Sequence, residues 1–159
     1  MEILKITKAD LNADNEYIGG AIGEYFNHKD THVEIEANLG LVKFKAIYVK
    51  GYITAKANSS IKAGLGIEAG ESIEAGLGIE AGSSIVCKLG LSFSYKLFAG
   101  TSPWRNNATK TITCGKLLKG TIAYGDLIET GMPDEVKQSD ATTEAIELLK
   151  ANGYSIIKN

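Results

Sequence analysis

Two histidines are the residues of this chain whose chemistry is easiest to identify. His28 and His32 are the only histidines among its 159 residues, and Asp30 stands between them. On a helix this spacing would place both imidazoles on one face, where they could bind a metal ion. No third ligand follows at the spacing of a metal site. We therefore interpret them as part of a solvated loop or a helix end and predict neither a metal site nor a cofactor.

Other residue types offer no arrangement typical of catalysis. No Ser, His and Asp set and no Cys and His pair has local support for nucleophilic chemistry. Cys87 and Cys114 are too few for a disulfide framework and too isolated for a zinc site, so we interpret them as small apolar residues. Gly64-Leu-Gly66 lacks the spacing of a GxGxxG phosphate-binding loop, which leaves a corner as its interpretation. The sequence predicts a protein that is not an enzyme.

A six-residue repeat is the pattern that would position all other residues. Side chains alternate across a strand, so each Ile-x-Ala unit predicts a three-residue strand with two side chains inward and one outward. A glycine often follows, and we expect its tolerance of positive φ to serve a corner of the chain. A helix is excluded, because a period of six would spread the apolar residues around all its sides. The repeated positions are Ile61, Ile67, Ile73, Ile79, Ile85, Leu91 and Leu97, followed two residues later by Ala63, Ala69, Ala75, Ala81, Cys87, Phe93 and Ala99.

These hexads resemble those of the hexapeptide-repeat parallel β-helices over about residues 53 to 104. The phrase IEAGESIEAGLG is similar to repeat proteins of bacterial phages and mobile elements. The resemblance implies an all-β fold, a parallel β-helix or β-solenoid, and brings no functional residues with it. Many proteins with such hexads are acyltransferases, for which the resemblance implies a histidine at a subunit boundary as general base. Here both histidines precede the hexads, and we expect neither to lie on a coil.

The number of strands in one coil is open between two and three. Three hexads would close a coil of about 18 residues, and two would close a flattened coil of about 12. The spacing of Leu65, Leu77 and Leu89 favours two sides. A three-sided coil stacks Lys62 on Glu80, whereas a two-sided coil stacks like charges, which is destabilising. We therefore predict three sides.

The segment before the hexads continues the same spacing. Ile35, Leu41, Ile47 and Ile53 lie six residues apart, so the solenoid is predicted to begin near residue 33, after an N-terminal segment or cap at 1–32. The eight-residue step from Ile53 to Ile61 predicts a longer corner around residues 58–60.

The segment after the hexads contains two weaker copies of the repeat. Ile112-Thr-Cys-Gly and Ile122-Ala-Tyr-Gly predict degenerate rungs or a hairpin, and the solenoid is predicted to extend to residue 128. Residues 129–159 are predicted to form a cap. It would hold a helix over 141–151, preceded by Ser139-Asp140 and ended by Asn152-Gly153, and a last strand over 154–157.

Charge is arranged in blocks along the chain. Residues 1–36, 37–62, 63–87, 88–125 and 126–159 carry formal charges of −5, +5, −4, +6 and −4. A solenoid converts sequence order into position along an axis, so the blocks should become bands. The bands could serve solubility alone or match the charge of a partner. The acidic block would repel phosphate, so direct nucleic-acid binding is disfavoured.

The predicted partner-binding surface combines an acidic band with two residues beyond the last hexad. Trp104 and Arg105 belong to the residue types most enriched at interface hot spots, although a lone tryptophan can equally belong to a core or a cap. The band itself consists of Glu68, Glu71, Glu74 and Glu80.

These features favour a non-catalytic protein-interaction module. Its partner would be a protein or a nucleoprotein complex. The most concrete form is a phage or mobile-element inhibitor of a host defence complex, comparable to an anti-CRISPR. A hexapeptide-type acyltransferase and a structural protein that stacks end to end, and so forms a homo-oligomer, are the alternatives. The chain lacks the ~18 to 20 consecutive apolar residues of a membrane span and a signal peptide, so we expect the cytoplasm of a bacterial host cell.

Overall fold

The computed structural model describes residues 1–105, 109–133 and 151–153. These residues form fourteen β-strands and one short 3-10 helix, Lys8–Asp10. No helix in this part of the chain has the length and apolar character needed to cross a membrane. The helix predicted over 141–151 and the strand over 154–157 fall outside the described residues, apart from residue 151. The strands are β1 Glu2–Ile6, β2 Thr31–Ile35, β3 Gly40–Phe44, β4 Ile47–Val49, β5 Ile53–Ala55, β6 Ser59–Ala63, β7 Ile67–Ala69, β8 Ile73–Ala75, β9 Ile79–Ala81, β10 Ile85–Cys87, β11 Gly90–Ala99, β12 Thr111–Cys114, β13 Lys116–Tyr124 and β14 Asp126–Glu129.

All pairings between these strands are parallel, and most join a strand to the third strand after it in the chain. Each coil therefore contributes one strand to each of three faces. The first face holds β1, β2, β5 and β8, the second holds β3, β6 and β9, and the third holds β4, β7, β10, β12 and β14. The long strands β11 and β13 bend at a corner, so the first part of each belongs to the first face and the last part to the second face. The predicted all-β class with parallel strands is confirmed, and the pairing is consistent with a three-sided β-helix.

The register fixes the length of a regular coil. Ile61 pairs with Ile79, and Ile73 pairs with Leu91, so equivalent residues are three hexads apart. The leucines that favoured a two-sided coil lie at three different corners. Leu65 follows the second face, Leu77 follows the first and Leu89 follows the third. Their spacing of two hexads therefore does not set the coil.

The core is a column of hexad residues along the axis of the coils. The first and third residues of each Ile-x-Ala strand are buried, and the middle residue is partly or fully exposed, as predicted. Two residues pointing inward on each of three faces fill the interior, so hydrophobic burial is shared by all coils. The fully buried large side chains are Phe93, Ile6, Ile35, Ile47, Ile53, Ile61, Ile67, Ile73, Ile79, Ile85, Leu91 and Leu97.

Most hexad glycines allow neighbouring coils to approach closely and do not adopt positive φ. Gly64, Gly70, Gly76 and Gly82 do not adopt positive φ, so the expectation of a left-handed corner is wrong at these positions. Their amides donate to carbonyls of the preceding coil at 2.9 to 3.0 Å. At three of them a Cβ would overlap a carbonyl oxygen of that coil: Gly70 against Lys50, Gly76 against Lys56 and Gly82 against Gly64.

The coils before residue 60 are longer than the regular ones. Ile53 pairs with Ile73, two positions beyond the regular spacing, which confirms the predicted longer corner near residues 58–60. Asn38 and Asn58 adopt φ of 64° and 60° at this corner, and the Asn58 side-chain amide donates to Asn38 Oδ1 at 2.8 Å. Asparagine tolerates the left-handed region better than most residues.

In this region the prediction that Leu41 belongs to the core is wrong. Leu41 is 42% exposed, and its neighbour Val42 takes the inward position opposite Ile61. Gly40, with φ of 68°, follows the Asn38 corner and shifts the strand by one residue. Such a shift exchanges the inward and outward sets of side chains.

Parallel pairing also reaches into the segment 1–32. β1 pairs with β2 along its whole length, and isolated parallel bridges join Glu16 to Lys43 and Ile22 to Ile47. Ile22 is buried in the same core as the hexads. These residues form an irregular first coil over the three faces, and the division of the chain at residue 32 stays a prediction.

The two weaker copies of the repeat are rungs and not a hairpin. Ile112 in β12 pairs in parallel with Ile85, and Ile122 in β13 pairs in parallel with Leu97. A hairpin would require antiparallel strands.

Candidate functional site

The four glutamates of the predicted acidic band lie on one turn of the coil but on different faces. Glu68 is on the third face, Glu74 on the first and Glu80 on the second, and Glu71 lies at the corner between the third and first faces. The carboxylates therefore encircle the coil. A partner that rests on a single face meets one of them, with Glu71 within reach from either neighbouring face.

Two of these carboxylates face the two histidines. His28 Nε2 lies 3.0 Å from Glu68 Oε2, and His32 Nδ1 lies 3.9 Å from Glu71 Oε2. The first contact has hydrogen-bond length and ties the N-terminal coil to the third face. Among the described residues no group of three His, Cys, Asp or Glu side chains is placed to hold a metal ion.

His32 does not lie where the sequence analysis placed it. It is part of β2, so the helical arrangement considered for the two histidines and the expectation that no histidine lies on a coil are both wrong. Its ring stacks on Tyr52 with 4.1 Å between ring centroids, and the Tyr52 amide donates to its Nδ1 at 3.1 Å. The six-residue spacing could not show this, because the coils at this end are longer than three hexads.

Glu80 contacts two residues on neighbouring coils of the second face. Its Oε1 lies 3.3 Å from Lys62 Nζ on one coil and accepts a hydrogen bond from Thr101 Oγ1 at 3.1 Å on the other. Thr101 and Ser102 also donate backbone hydrogen bonds to Ala81 and Gly82 at 3.3 and 3.1 Å. Glu80 therefore lies where the chain leaves β11.

Trp104 and Arg105 lie on an inserted connection at that corner. Ile85 pairs with Ile112, whereas a coil of regular length would bring Ile85 opposite Pro103. The additional length lies between β11 and β12. Both residues are exposed, Trp104 to 91%, so this tryptophan does not belong to the core.

The structure also shows aromatic residues that the sequence analysis missed. Phe98 points outward from the second face and pairs with Tyr124 of β13 after a register shift, and Tyr95 is exposed at the corner before it. Phe98 is the middle residue of the hexad Leu97-Phe98-Ala99, so the alternation rule could have identified it as an outward aromatic side chain.

An open groove of about 590 Å³ lies beside these residues, at the corner between the first and second faces. Its lining residues include Leu77, Tyr95 and Phe98, together with Lys96. A volume of roughly 300 to 1,000 Å³ is typical of small-ligand sites, which also combine apolar walls with a few polar groups.

The two cysteines are buried and unpaired, in agreement with their interpretation as core residues. Burial raises the pKa of Cys87 to about 12, and burial also raises the pKa of Cys114. The nucleophilic form of cysteine is the thiolate, so burial disfavours the reactive form of both thiols.

Comparisons with protein-family models, with curated proteins and with solved structures give no match for this chain.

Proposed function

We propose that the protein is a non-catalytic protein-interaction module. In this proposal a three-sided β-helix is the rigid support, and Trp104, Arg105 and Glu80 form the centre of the partner-binding surface. The observation that carries the proposal is the 91% exposure of Trp104 on an insertion that the regular coil does not need. An exposed tryptophan beside an arginine is the composition of an interface hot spot.

The base of the insertion is held to the preceding coil by hydrogen bonds. Thr101 bonds to Glu80 through its hydroxyl and to Ala81 through its amide, and Ser102 bonds to Gly82. These bonds hold the chain to the preceding coil shortly before Trp104. A backbone segment that is already held beside an interface loses less entropy on binding than a freely mobile one.

Charge around this corner has both signs. Arg105 is exposed, and Glu80 shares its carboxylate between Lys62 and Thr101. A partner with complementary charges would gain specificity and association rate here more than affinity. Whether Glu68, Glu71 and Glu74 contact the same partner stays a prediction, since they lie toward other faces.

Site-specific crosslinking tests the proposal. Trp104 is replaced by the photoreactive residue p-benzoylphenylalanine, and the protein is irradiated in bacterial cells. The control carries the same residue at Phe26, which is 96% exposed in the first coil. We expect a discrete, nuclease-resistant protein adduct from position 104 and none from position 26. Absence of an adduct at 104, or the same adducts at both positions, would overturn the proposal.

The specific form of the proposal is inhibition of a host defence complex, and it is supported by the similarity of the hexads to repeat proteins of phages and mobile elements. The test is the plaquing of a targeted phage on cells with an active CRISPR–Cas system. We expect the wild-type protein to raise plaquing efficiency and the Trp104→Ala variant to lose this effect. Unchanged plaquing across the CRISPR–Cas types tested would remove this form while leaving the crosslinking result to decide the interaction itself.

A further inference from the structure

The second face changes its chemistry from one end to the other. Its outward positions form a continuous ladder in which each residue pairs with the next across neighbouring coils. Adjacent strands lie about 4.8 Å apart, so the ladder is a closely spaced row. It begins with two cations and ends with two aromatic rings, in the order Lys43, Lys62, Glu80, Phe98 and Tyr124.

The groove lies beside the aromatic end of this row. Leu77, Tyr95 and Phe98 supply apolar and aromatic surface, and Lys96 is the charged residue among the described residues that line it. Tyr95 is 66% exposed, so its ring is available to a ligand. Hydroxyl groups complete the lining, from Ser60, Ser94 and Thr121.

Lysine side chains lie near the aromatic residues, and Glu80 is the acidic residue directly opposite Phe98. Residues 88–125 contain six Lys and Arg and no Asp or Glu. Lys110 Nζ lies 5.4 Å from the centre of the Tyr124 ring, so a cation lies beside the aromatic end of the second face. Its nearest carboxylate contact, Asp126, is at 4.0 Å and both side chains are exposed, so the pair is weak.

No acidic side chain is among the described residues that line the groove. Glu68 lies on the third face, Glu74 lies on the first face beside the corner, and Glu80 lies opposite Phe98 with Lys62 at 3.3 Å. The expectation that nucleic acid is disfavoured depended on repulsion by the acidic block. The described lining of the groove holds Lys96 and no carboxylate, so that repulsion is smaller within the groove.

We propose that the groove and the aromatic end of the second face bind single-stranded nucleic acid. Bases stack on Tyr95 and Phe98, and Lys96 and Lys110 lie close to the phosphates. Aromatic rings stack on any base, and cations beside them follow the backbone, which is the usual design of single-strand binding. A duplex keeps its bases stacked internally, and an acidic peptide has no flat surface that requires two exposed rings.

The groove itself is separate from Trp104 and Arg105, and Glu80 and Lys110 lie between the two sites. The groove lies at the corner between the first and second faces, and the Trp104 insertion leaves the corner between the second and third. Variants at Tyr95 and Lys96 test the groove and a variant at Trp104 tests the protein interface, so failure of one proposal is distinguishable from failure of the other.

The test is fluorescence anisotropy with a labelled thymidine 12-mer at low and moderate salt. We expect saturable binding that weakens as salt rises, with a loss of about tenfold or more in Tyr95→Ala, in the range of one stacked base. Lys96→Ala should weaken binding and reduce the salt slope by about 0.7. The matched controls are Phe26→Ala and Lys88→Ala, at an exposed aromatic and an exposed lysine elsewhere, and both should bind as the wild type does.

Competitors separate stacking from charge alone. An abasic 12-mer and a glutamate 12-mer carry similar charge without bases, and each should compete much more weakly than the thymidine 12-mer. Circular dichroism of Tyr95→Ala, with its side chain at an exposed corner, confirms that the variant is folded. The proposal is overturned by absence of binding at low salt, by equal competition from the abasic strand, by stronger competition from the peptide, or by unchanged affinity in folded Tyr95→Ala.

Discussion

Lys62 on β6 and Glu80 on β9 are separated by three hexads of the chain and lie directly opposite each other, with 3.3 Å between Nζ and Oε1. This contact exists only if three strands complete a coil. A two-sided coil of the same hexads would place Glu80 opposite Glu68.

A charge-reversal cycle at this pair tests the coil length in solution. Lys62→Glu should lower the free energy of unfolding, because it places like charges on opposed strands, and Lys62→Glu combined with Glu80→Lys should restore it. The coupling energy should be about 0.2 to 1 kcal/mol, since both side chains are partly exposed. Urea denaturation of the wild type, Lys62→Glu, Glu80→Lys and the double variant gives the coupling energy. A coupling energy of zero would contradict the opposed placement of Lys62 and Glu80.

Two hexad glycines test the close approach of neighbouring coils. A Cβ at Gly76 would overlap the Lys56 carbonyl, whereas at Gly64 the nearest atom, the Lys45 carbonyl oxygen, is 3.7 Å away. Gly76→Ala should destabilise the protein by about 1 to 3 kcal/mol. Gly64→Ala should be neutral or stabilise it by up to about 1 kcal/mol, because alanine restricts the unfolded chain. Equal effects of the two substitutions on the melting temperature would show that the approach is absent.

Ile73 tests the assignment of the core. It is fully buried at the middle of the hexad column, so Ile73→Ala should lower the free energy of unfolding by about 2 to 5 kcal/mol. Ile73→Asp should prevent folding, since an unpaired charge in this interior has no compensating partner. The control is Glu74→Ala on the outer side of the same strand, with an expected change within about 0.5 kcal/mol. A folded Ile73→Asp protein with an unchanged melting temperature would exclude the core assignment.

The raised pKa of the buried Cys87 thiol predicts that the free energy of unfolding declines at high pH. Its pKa is about 12 in the folded protein because of burial, against about 8.5 for an exposed thiol. Below the lower value both states keep the proton. Between the two values the unfolded state loses it first, so stability falls as pH rises, by at most about 1.4 kcal/mol per unit.

Cys87→Ala is the matched control for this effect, because alanine occupies the equivalent position in four earlier hexad strands. Other groups also titrate in this range, so the informative quantity is the difference between the variant and the wild type. Denaturation at pH 8 and pH 10.5 should show a smaller decline in Cys87→Ala. Identical declines would mean that the thiol is not held protonated by the fold.

The hexads made the core predictable, because the inward residues from Ile61 to Ala99 repeat at one fixed spacing. The prediction that Leu41 points inward was wrong because a corner with two left-handed residues adds one position to the strand. The six-residue spacing alone carries no information on backbone φ. The glutamates were correctly predicted to point outward or to lie at corners. Their distribution over three faces follows from the three-sided coil, for which the sequence evidence was mixed.

The insertion after Ala99 was recognisable as the end of the hexads, but the exposure of Trp104 was not. A lone tryptophan is compatible with a core, a cap or an interface, and the distinction depends on whether neighbouring chain covers it. The pairing of Phe98 with Tyr124 could not be predicted either, since β13 contains register shifts that separate it from the regular period.

The binding of the partner captured at position 104 tests the proposed function most directly. Its dissociation constant for the wild-type protein is compared with those for Trp104→Ala and Phe26→Ala, two exposed aromatic residues in different coils. We predict that Trp104→Ala weakens binding by about 30-fold or more, equivalent to the roughly 2 kcal/mol or more of a hot spot, with an unchanged melting temperature. Phe26→Ala should bind as the wild type does. Equal affinity of the wild-type and Trp104→Ala proteins for that partner would contradict the proposed interface.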